Sequence, residues 1–196
     1  MNRRTLLAVA GSLTVVGTGG CLGLGSDEVE TEGNDDEPLD SEPETLLLTV
    51  EQIESQRESD WVSSTGMDDR PLMFRDATLV RSFVPDIDHD EFDFLEYRTI
   101  SGVWVHERVE HARESYDSNP FQFGHGLEER SIAVESVGGI VDVMDTRVSE
   151  WGYVLFRDAN VVGAIGHHNG AMNGEKIVRD ALDLAAAKHE RWRDTD

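Results

Sequence analysis

Cysteine is nearly absent from this chain: Cys21 is the single one in 196 residues. That excludes an intramolecular disulfide and any multi-cysteine zinc or iron–sulfur site, whatever the redox compartment. Lysine is almost as scarce, with only Lys176 and Lys188 beside fifteen arginines. Positive charge as a whole is short, since 17 basic residues face 40 acidic ones for a formal net charge of -23. Phosphate backbones are held through basic contacts, so nucleic acid is not an expected partner. Several chemical motifs are missing too. The domain carries no Gly-x-Ser-x-Gly elbow, no Gly-x-Gly-x-x-Gly fingerprint after a strand, no Walker lysine and no His-Glu-x-x-His pair. Each is the local geometry its chemistry needs, so no nucleotide or other cofactor is implied.

What is abundant is carboxylate. The acidic excess, together with arginine in place of lysine, resembles the composition of halophilic archaeal proteins. Near 1 M salt the screening length is only about 3 Å, so carboxylates repel one another little while keeping the surface hydrated. On this reading the acidity reports the solvent and not a ligand.

The amino terminus reads as an address. Arg3 and Arg4 precede Leu6 and Leu7, an uncharged run continues to Gly20, and no acidic residue stands before Asp27. This is the charged and then apolar pattern of an export signal, and the adjacent arginines resemble a twin-arginine signal. Thr18-Gly19-Gly20-Cys21 resembles the lipobox of bacterial and archaeal lipoproteins, with Thr18 where leucine is commoner. The expectation is an export signal over residues 1–20 and lipidation at Cys21. Retention of the apolar run as an anchor is the alternative, and its four glycines between Gly11 and Gly20 make it a poor span. Both readings place the domain outside the cytoplasm, on the outer face of the membrane. Residues 21–44 follow as a flexible acidic linker: from Asp27 to Glu44 there are ten carboxylates and no basic residue.

One globular domain is expected over residues 45–196. Leu46, Leu47, Leu48 and Val50 lead through a short strand or turn into a brief helix at Ile53. Residues 72–85 and 94–107 read as β-rich, separated by an acidic loop over 86–93. In the second segment Tyr97, Val103 and Val105 share one parity while Ile100 and Trp104 share the other, which predicts a sheet covered on both faces. Val109, Ala112 and Tyr116 mark a short helix that Asn119-Pro120 ends. Residues 131–136 read as a strand that Val137-Gly138-Gly139 turns back. Tyr153 to Phe156 and Val161 to Ile165 read as a hairpin around Arg157-Asp158-Ala159-Asn160, with Asn160 suited to a left-handed turn position. Asn173 caps a last helix with Ile177, Val178, Ala181, Leu182, Ala185 and Trp192 on one stripe. Lys188, Arg191 and Arg193 complement the dipole at its end. The fold class is α+β, an antiparallel sheet with helices packed against it and a C-terminal amphipathic helix.

These segments, from the Leu46–Ile53 start through the Phe156-to-Asn160 turn to the last helix, resemble an uncharacterised group of haloarchaeal lipoproteins. More distantly their order is similar to the PsbP-like and LpqN-like α/β/α sandwiches of exported proteins. The resemblance implies the fold and carries no catalytic residue across.

Candidate chemistry is thin. Asp86, Asp88 and Asp90 match the first ligand spacings of a calcium loop, but Glu91 stands where glycine is needed and Tyr97 where the closing glutamate belongs. Seven histidines, His89, His106, His111, His125, His167, His168 and His189, read as scattered over the surface with no ligand spacing among them. Thus no metal site is assigned. His125, between Gly124 and Gly126, and the adjacent pair His167 and His168 mark the rim where a ligand loop is expected. Trp61, Trp104, Tyr153 and Trp192 read as core filling. The function expected is a membrane-anchored, non-enzymatic domain that binds an unknown protein or small ligand. The alternative is an exported metal-assisted hydrolase using His with Asp or Glu.

Dialysis from molar salt into dilute buffer, followed by circular dichroism, should abolish cooperative folding if the acidity is a solvent adaptation. An unchanged melt at low ionic strength would contradict it.

Overall fold

The computed structural model describes residues 29–55, 60–64, 72–74, 76–86, 97–123, 126–142, 150–170 and 172–194. In chain order the elements are β1 (Thr31–Glu32), α1 (Val50–Glu54), β2 (Trp61–Ser64), β3 (Leu79–Pro85), β4 (Tyr97–Val105) and α2 (Val109–Ser118). Then come β5 (Glu128–Glu129), β6 (Ile132–Ala133), β7 (Glu135–Asp142), β8 (Glu150–Asp158), β9 (Val161–Asn169) and α3 (Gly174–Asp194). Seven strands form one sheet in the order β2-β3-β4-β9-β8-β7-β5, and every pairing within it is antiparallel. A small parallel pair, β1 with β6, stands apart from it. The α+β class and the C-terminal helix packed on an antiparallel sheet are as the sequence pattern implies.

The sheet is covered on both faces, which is why its central strands are almost continuously buried. One face carries Phe83, Val103, Val154, Phe156, Val161 and Ile165 under α3, whose Ala181, Leu184, Ala185 and Trp192 meet them. The other carries Ile100, Trp104, Tyr153, Leu155, Val162 and Ala164 under Ala112 and Tyr116 of α2 and the ring of Phe74. The parity split between Val103 and Trp104 is therefore realised as two cores. All four aromatics assigned to core filling are at most 6% exposed.

Local chemistry sets the helix ends. Thr49 and Gln52 form a reciprocal capping box at α1, and Gln52 Nε2 also donates to Ala187 O of α3 at 2.7 Å. Asn119 leaves α2 in extended conformation just before Pro120. Asn173 Oδ1 accepts the Lys176 N–H at 2.9 Å, capping α3.

Several expectations need correction. Residues 29–44 are not a flexible linker: exposure alternates from Val29 to Asp36, the inward positions being Val29, Thr31, Gly33 and Asp35, and Leu39 is buried. The acidic composition concealed a period-two pattern that sends Glu30, Glu32 and Asp36 outward while Asp35 turns in to meet Arg157. The folded body therefore begins before Thr45. Val137-Gly138-Gly139 is no turn, because β7 runs straight through it. Gly139 is required by close approach, since a Cβ there would stand 2.4 Å from Gly126 O. The strand expected over 131–136 is broken instead at Ala133, whose φ of 59° divides β6 from β7. In the β8–β9 hairpin the turn is only Ala159-Asn160, and Ala159, with φ 46°, takes the left-handed position assigned to Asn160. Asn160 uses its amide instead: Oδ1 accepts the Leu39 N–H at 2.8 Å and Nδ2 donates to His106 O at 2.9 Å. Residues 72–74 form a 3-10 turn, and the strand after it starts at Leu79.

Lys188 is the largest departure. It does not face water near the end of α3 but is 1% exposed beneath the sheet. Its Nζ donates to Gly102 O at 2.7 Å, with Ala164 O at 3.4 Å, and stands 5.5 Å and 5.6 Å from the ring centres of Phe156 and Trp192. Burial pushes its pKa well below the ordinary 10.5.

A lysine whose folded-state pKa is depressed binds fewer protons folded than unfolded, so stability rises with pH up to the unfolded value. Denaturation in high salt should show the wild type gaining stability from pH 7.5 towards 10. Lys188→Met should flatten that rise and match or exceed wild-type stability at neutral pH. An undiminished slope in the variant would contradict this account.

Candidate functional site

Of the histidines assigned to a ligand rim, the two described, His167 and His168, are not brought together. His125 lies outside the described residues, as do Cys21, Arg3, Arg4, His89, Asp88 and Asp90. His167 and His168 are adjacent on β9 and so face opposite sides of the sheet. His168 packs against Trp151 at 5.5 Å, with Nδ1 donating to Glu150 O at 2.6 Å. His167 points to the α3 side, where Nδ1 meets Thr99 Oγ1 at 2.9 Å and Nε2 stands 3.9 Å from Asp180 Oδ2. His189 is buried as well, so the reading of surface histidines fails for these three. His106 is half-buried, and burial pulls its pKa down. Among the described residues no three His, Cys, Asp or Glu side chains are grouped as a metal ion would need.

His167 nevertheless leads to an opening. Asp180, its partner on α3, also accepts from Lys176 Nζ at 3.3 Å, and both line an open cleft of about 1100 Å³. The cleft runs between the first turns of α3, the Gly139-Ile140 stretch of β7 and the segment from Gly126 to Ser131. Its apolar lining is Val29, Ile140, Val178 and Leu182. Its charged lining carries both signs, with Arg130, Lys176 and Arg179 beside Glu128, Glu175, Asp180 and Asp183. Thr99, His167, Asp180 and Lys176 thus form a polar string from the buried sheet to the cleft wall. Gly126, next to His125 in the chain, lies on the opposite wall.

A second polar cluster sits at the turn end of β8. Arg157 and Asp158 are adjacent and both 0% exposed, one on each face of the sheet. On the α2 side Arg157 Nη2 donates to Glu135 Oε1 at 2.7 Å and to Asp35 Oδ2 at 3.1 Å. Burial works against the guanidinium, but these carboxylates outweigh it and hold its pKa above the ordinary value. On the α3 side Asp158 receives Arg193 Nε at 2.7 Å, His189 Nε2 at 2.6 Å and the Asn34 N–H at 2.8 Å. Burial opposes ionisation there too, yet the bonds from His189 and Arg193 leave the Asp158 pKa below the ordinary 3.8. Asp35 is also lowered, mainly by its hydrogen bond from Arg157.

Thr31 Oγ1 lies 2.8 Å from His189 Nδ1, so hydroxyl, imidazole and carboxylate stand in the order of an acyl-transfer relay. The surroundings oppose that use. Arg193 contacts both Asp158 oxygens and neutralises the carboxylate that would support an imidazolium, and Ala133 N–H donates to the same Thr31 hydroxyl at 3.1 Å. The arrangement acts as a clamp holding β1 to α3. No protein-family model matches the chain, and no curated protein matches it.

Sequence reasoning missed this cluster because Arg157 and Asp158 look like an exposed polar turn. The available signal was the unbroken apolar run on either side of them.

Asp158→Ala leaves His189 and Arg193 without their shared carboxylate and should cost about 3–5 kcal/mol, as breaking a buried pair does. Asp35→Ala should cost only about 1 kcal/mol or less, since Arg157 keeps Glu135. Because both carboxyls are depressed in the folded state, their contribution is complete above about pH 3.8 and is lost as pH falls through the lower folded-state values. Equal losses for the two variants in chemical denaturation would overturn this ranking.

Proposed function

We propose that this chain is an extracytoplasmic lipoprotein of a salt-adapted cell, held to the outer face of the membrane through Cys21, whose domain binds a partner protein or small ligand without catalysing a reaction. The observation that carries the binding reading is the open cleft beside α3. Its apolar lining, which includes Ile140, Val178 and Leu182, supplies the attraction that survives high salt, where ion pairs are screened. Its charged lining of both signs supplies orientation and selectivity, with Asp180 positioned by Lys176 and by the His167 ring. The address is supported by the Arg3-Arg4 pair, the uncharged run and the lone cysteine that follows it. The likeness to haloarchaeal lipoproteins and their distant exported sandwich relatives belongs to the same reading. No helix among the described residues is long and apolar enough to cross a membrane.

Two measurements test the two halves separately. Cys21→Ser should move the protein from the membrane to the medium or stall its maturation, whereas membrane-bound variant of unchanged mobility would refute the address. A thermal-shift screen in molar salt tests the cleft: a ligand at a hundredfold excess over its Kd should add about 2.7 kcal/mol to wild-type stability. Leu182→Asp should remove that gain, and a ligand indifferent to it would place binding elsewhere. One metal per chain, lost on replacing His106, His111, His125, His167 or His168, would favour the metal-assisted hydrolase.

A further inference from the structure

We infer that residues 29–39 are a releasable latch that regulates how far the domain stands from the membrane and whether Val29 lines the α3 cleft. This rests on the proposed anchoring at Cys21 and deepens it, because the strap lies between that anchor and the body of the fold.

The strap is built to leave without breaking the body. Every buried charged group it touches has a second partner that does not belong to it. Arg157 keeps Glu135 Oε1 at 2.7 Å and Ala159 O at 3.1 Å when Asp35 departs. Asp158 keeps His189 and Arg193 when the Asn34 N–H departs. Asn160 keeps His106 O when Leu39 departs. Undocking therefore strands no buried charge, which is the usual reason a buried ionic contact cannot open.

Residues just beyond the strap behave differently. The carbonyls of Leu46, Leu47 and Leu48 accept bonds from Trp192, Arg191 and Arg81, and their side chains are part of the core. They belong to the body. Between the two, Asp40 and Ser41 make no hydrogen bond to any described residue, so the hinge falls there. The strap's apolar hold is slight: Leu39 enters the core and Val29 packs partly buried against it, and the rest is a two-residue parallel ladder with the polar bonds of Thr31, Asn34 and Asp35. Segments with few apolar contacts open below the free energy of global unfolding.

Chain length gives the latch its consequence. With the strap docked, eight residue steps separate Cys21 from Val29, a reach of at most about 29 Å. With it released, twenty steps separate Cys21 from Ser41, a reach of about 72 Å. Val29 is itself part of the cleft lining, so release also removes one residue of its apolar lining.

The test uses the lipidated full-length protein on vesicles in molar salt. In hydrogen exchange, the amides of Thr31, Asn34 and Leu39 should exchange as one group, at least tenfold faster than those of Val154 and Ile165. Exchange of the strap in step with β8 and β9 would overturn the latch, and this arm needs no variant to fold. For distance, Asp117→Cys on the exposed side of α2 carries a donor dye and the bilayer carries an acceptor. Combining Thr31→Ala with Asp35→Ala should lower energy transfer at least twofold while exchange at Val154 and Ile165 is unchanged. Unaltered transfer from protein that still sediments with the vesicles overturns the latch alone. Protein that does not sediment at all overturns the anchoring reading and the latch with it.

Discussion

Arg157 and Asp158 stand next to each other at the end of a central strand, both sealed from water and facing opposite sides of the sheet. Burying two unlike charges in neighbouring positions is costly unless each is neutralised where it points, and strand geometry forbids them from neutralising one another. The fold answers on two sides at once. Glu135 reaches Arg157 from the neighbouring strand, and His189 and Arg193 reach Asp158 from the last helix. The strap then passes around the hairpin end, so that consecutive residues Asn34 and Asp35 serve the two faces in turn. Docking of the amino-terminal segment and the seating of the end of α3 both draw on this pair.

The same two-sided burial explains the interior beside it. Gly163 is compatible with the ring of Phe156 and with Trp192 lying on the strand, since a Cβ there would stand 2.5 Å and 2.7 Å from their carbons. Beside the same two rings Lys188 reaches in from α3 and places its Nζ near main-chain carbonyls and two aromatic faces. Towards the other end of the helix, the string from Thr99 through His167 to Asp180 carries polarity outward to the cleft. One helix thus closes the core, clamps the strap and forms a wall of the opening proposed for binding.

Much of the architecture was legible because it is written in short-range patterns. The parity of Val103 against Trp104, the run on either side of Ala159-Asn160, the Ala112–Tyr116 spacing and the Asn173 cap each act over a few residues. The site was not. His167 and His168 look like a pair in the chain, yet a strand sends them apart, and the partner that matters, Asp180, lies on another element. The ten carboxylates from Asp27 to Glu44 outweighed, in any compositional reading, an alternation that only matters once a surface exists to receive it. Gly138-Gly139 read as a turn because glycine's backbone freedom is visible in sequence and the crowding of a neighbouring loop is not.

By itself the sequence determined that this is an α+β chain with a two-faced sheet, a tight hairpin and a capped amphipathic last helix, because propensity, periodicity and capping are local. Only the tertiary structure decided that Arg157, Asp158 and Lys188 are interior, that the acidic segment is a strap, and that Asp180 joins His167 at a cleft. Those outcomes depend on which groups meet across strands and from distant parts of the chain, and burial changes the meaning of a charge only after the neighbours that bury it are in place.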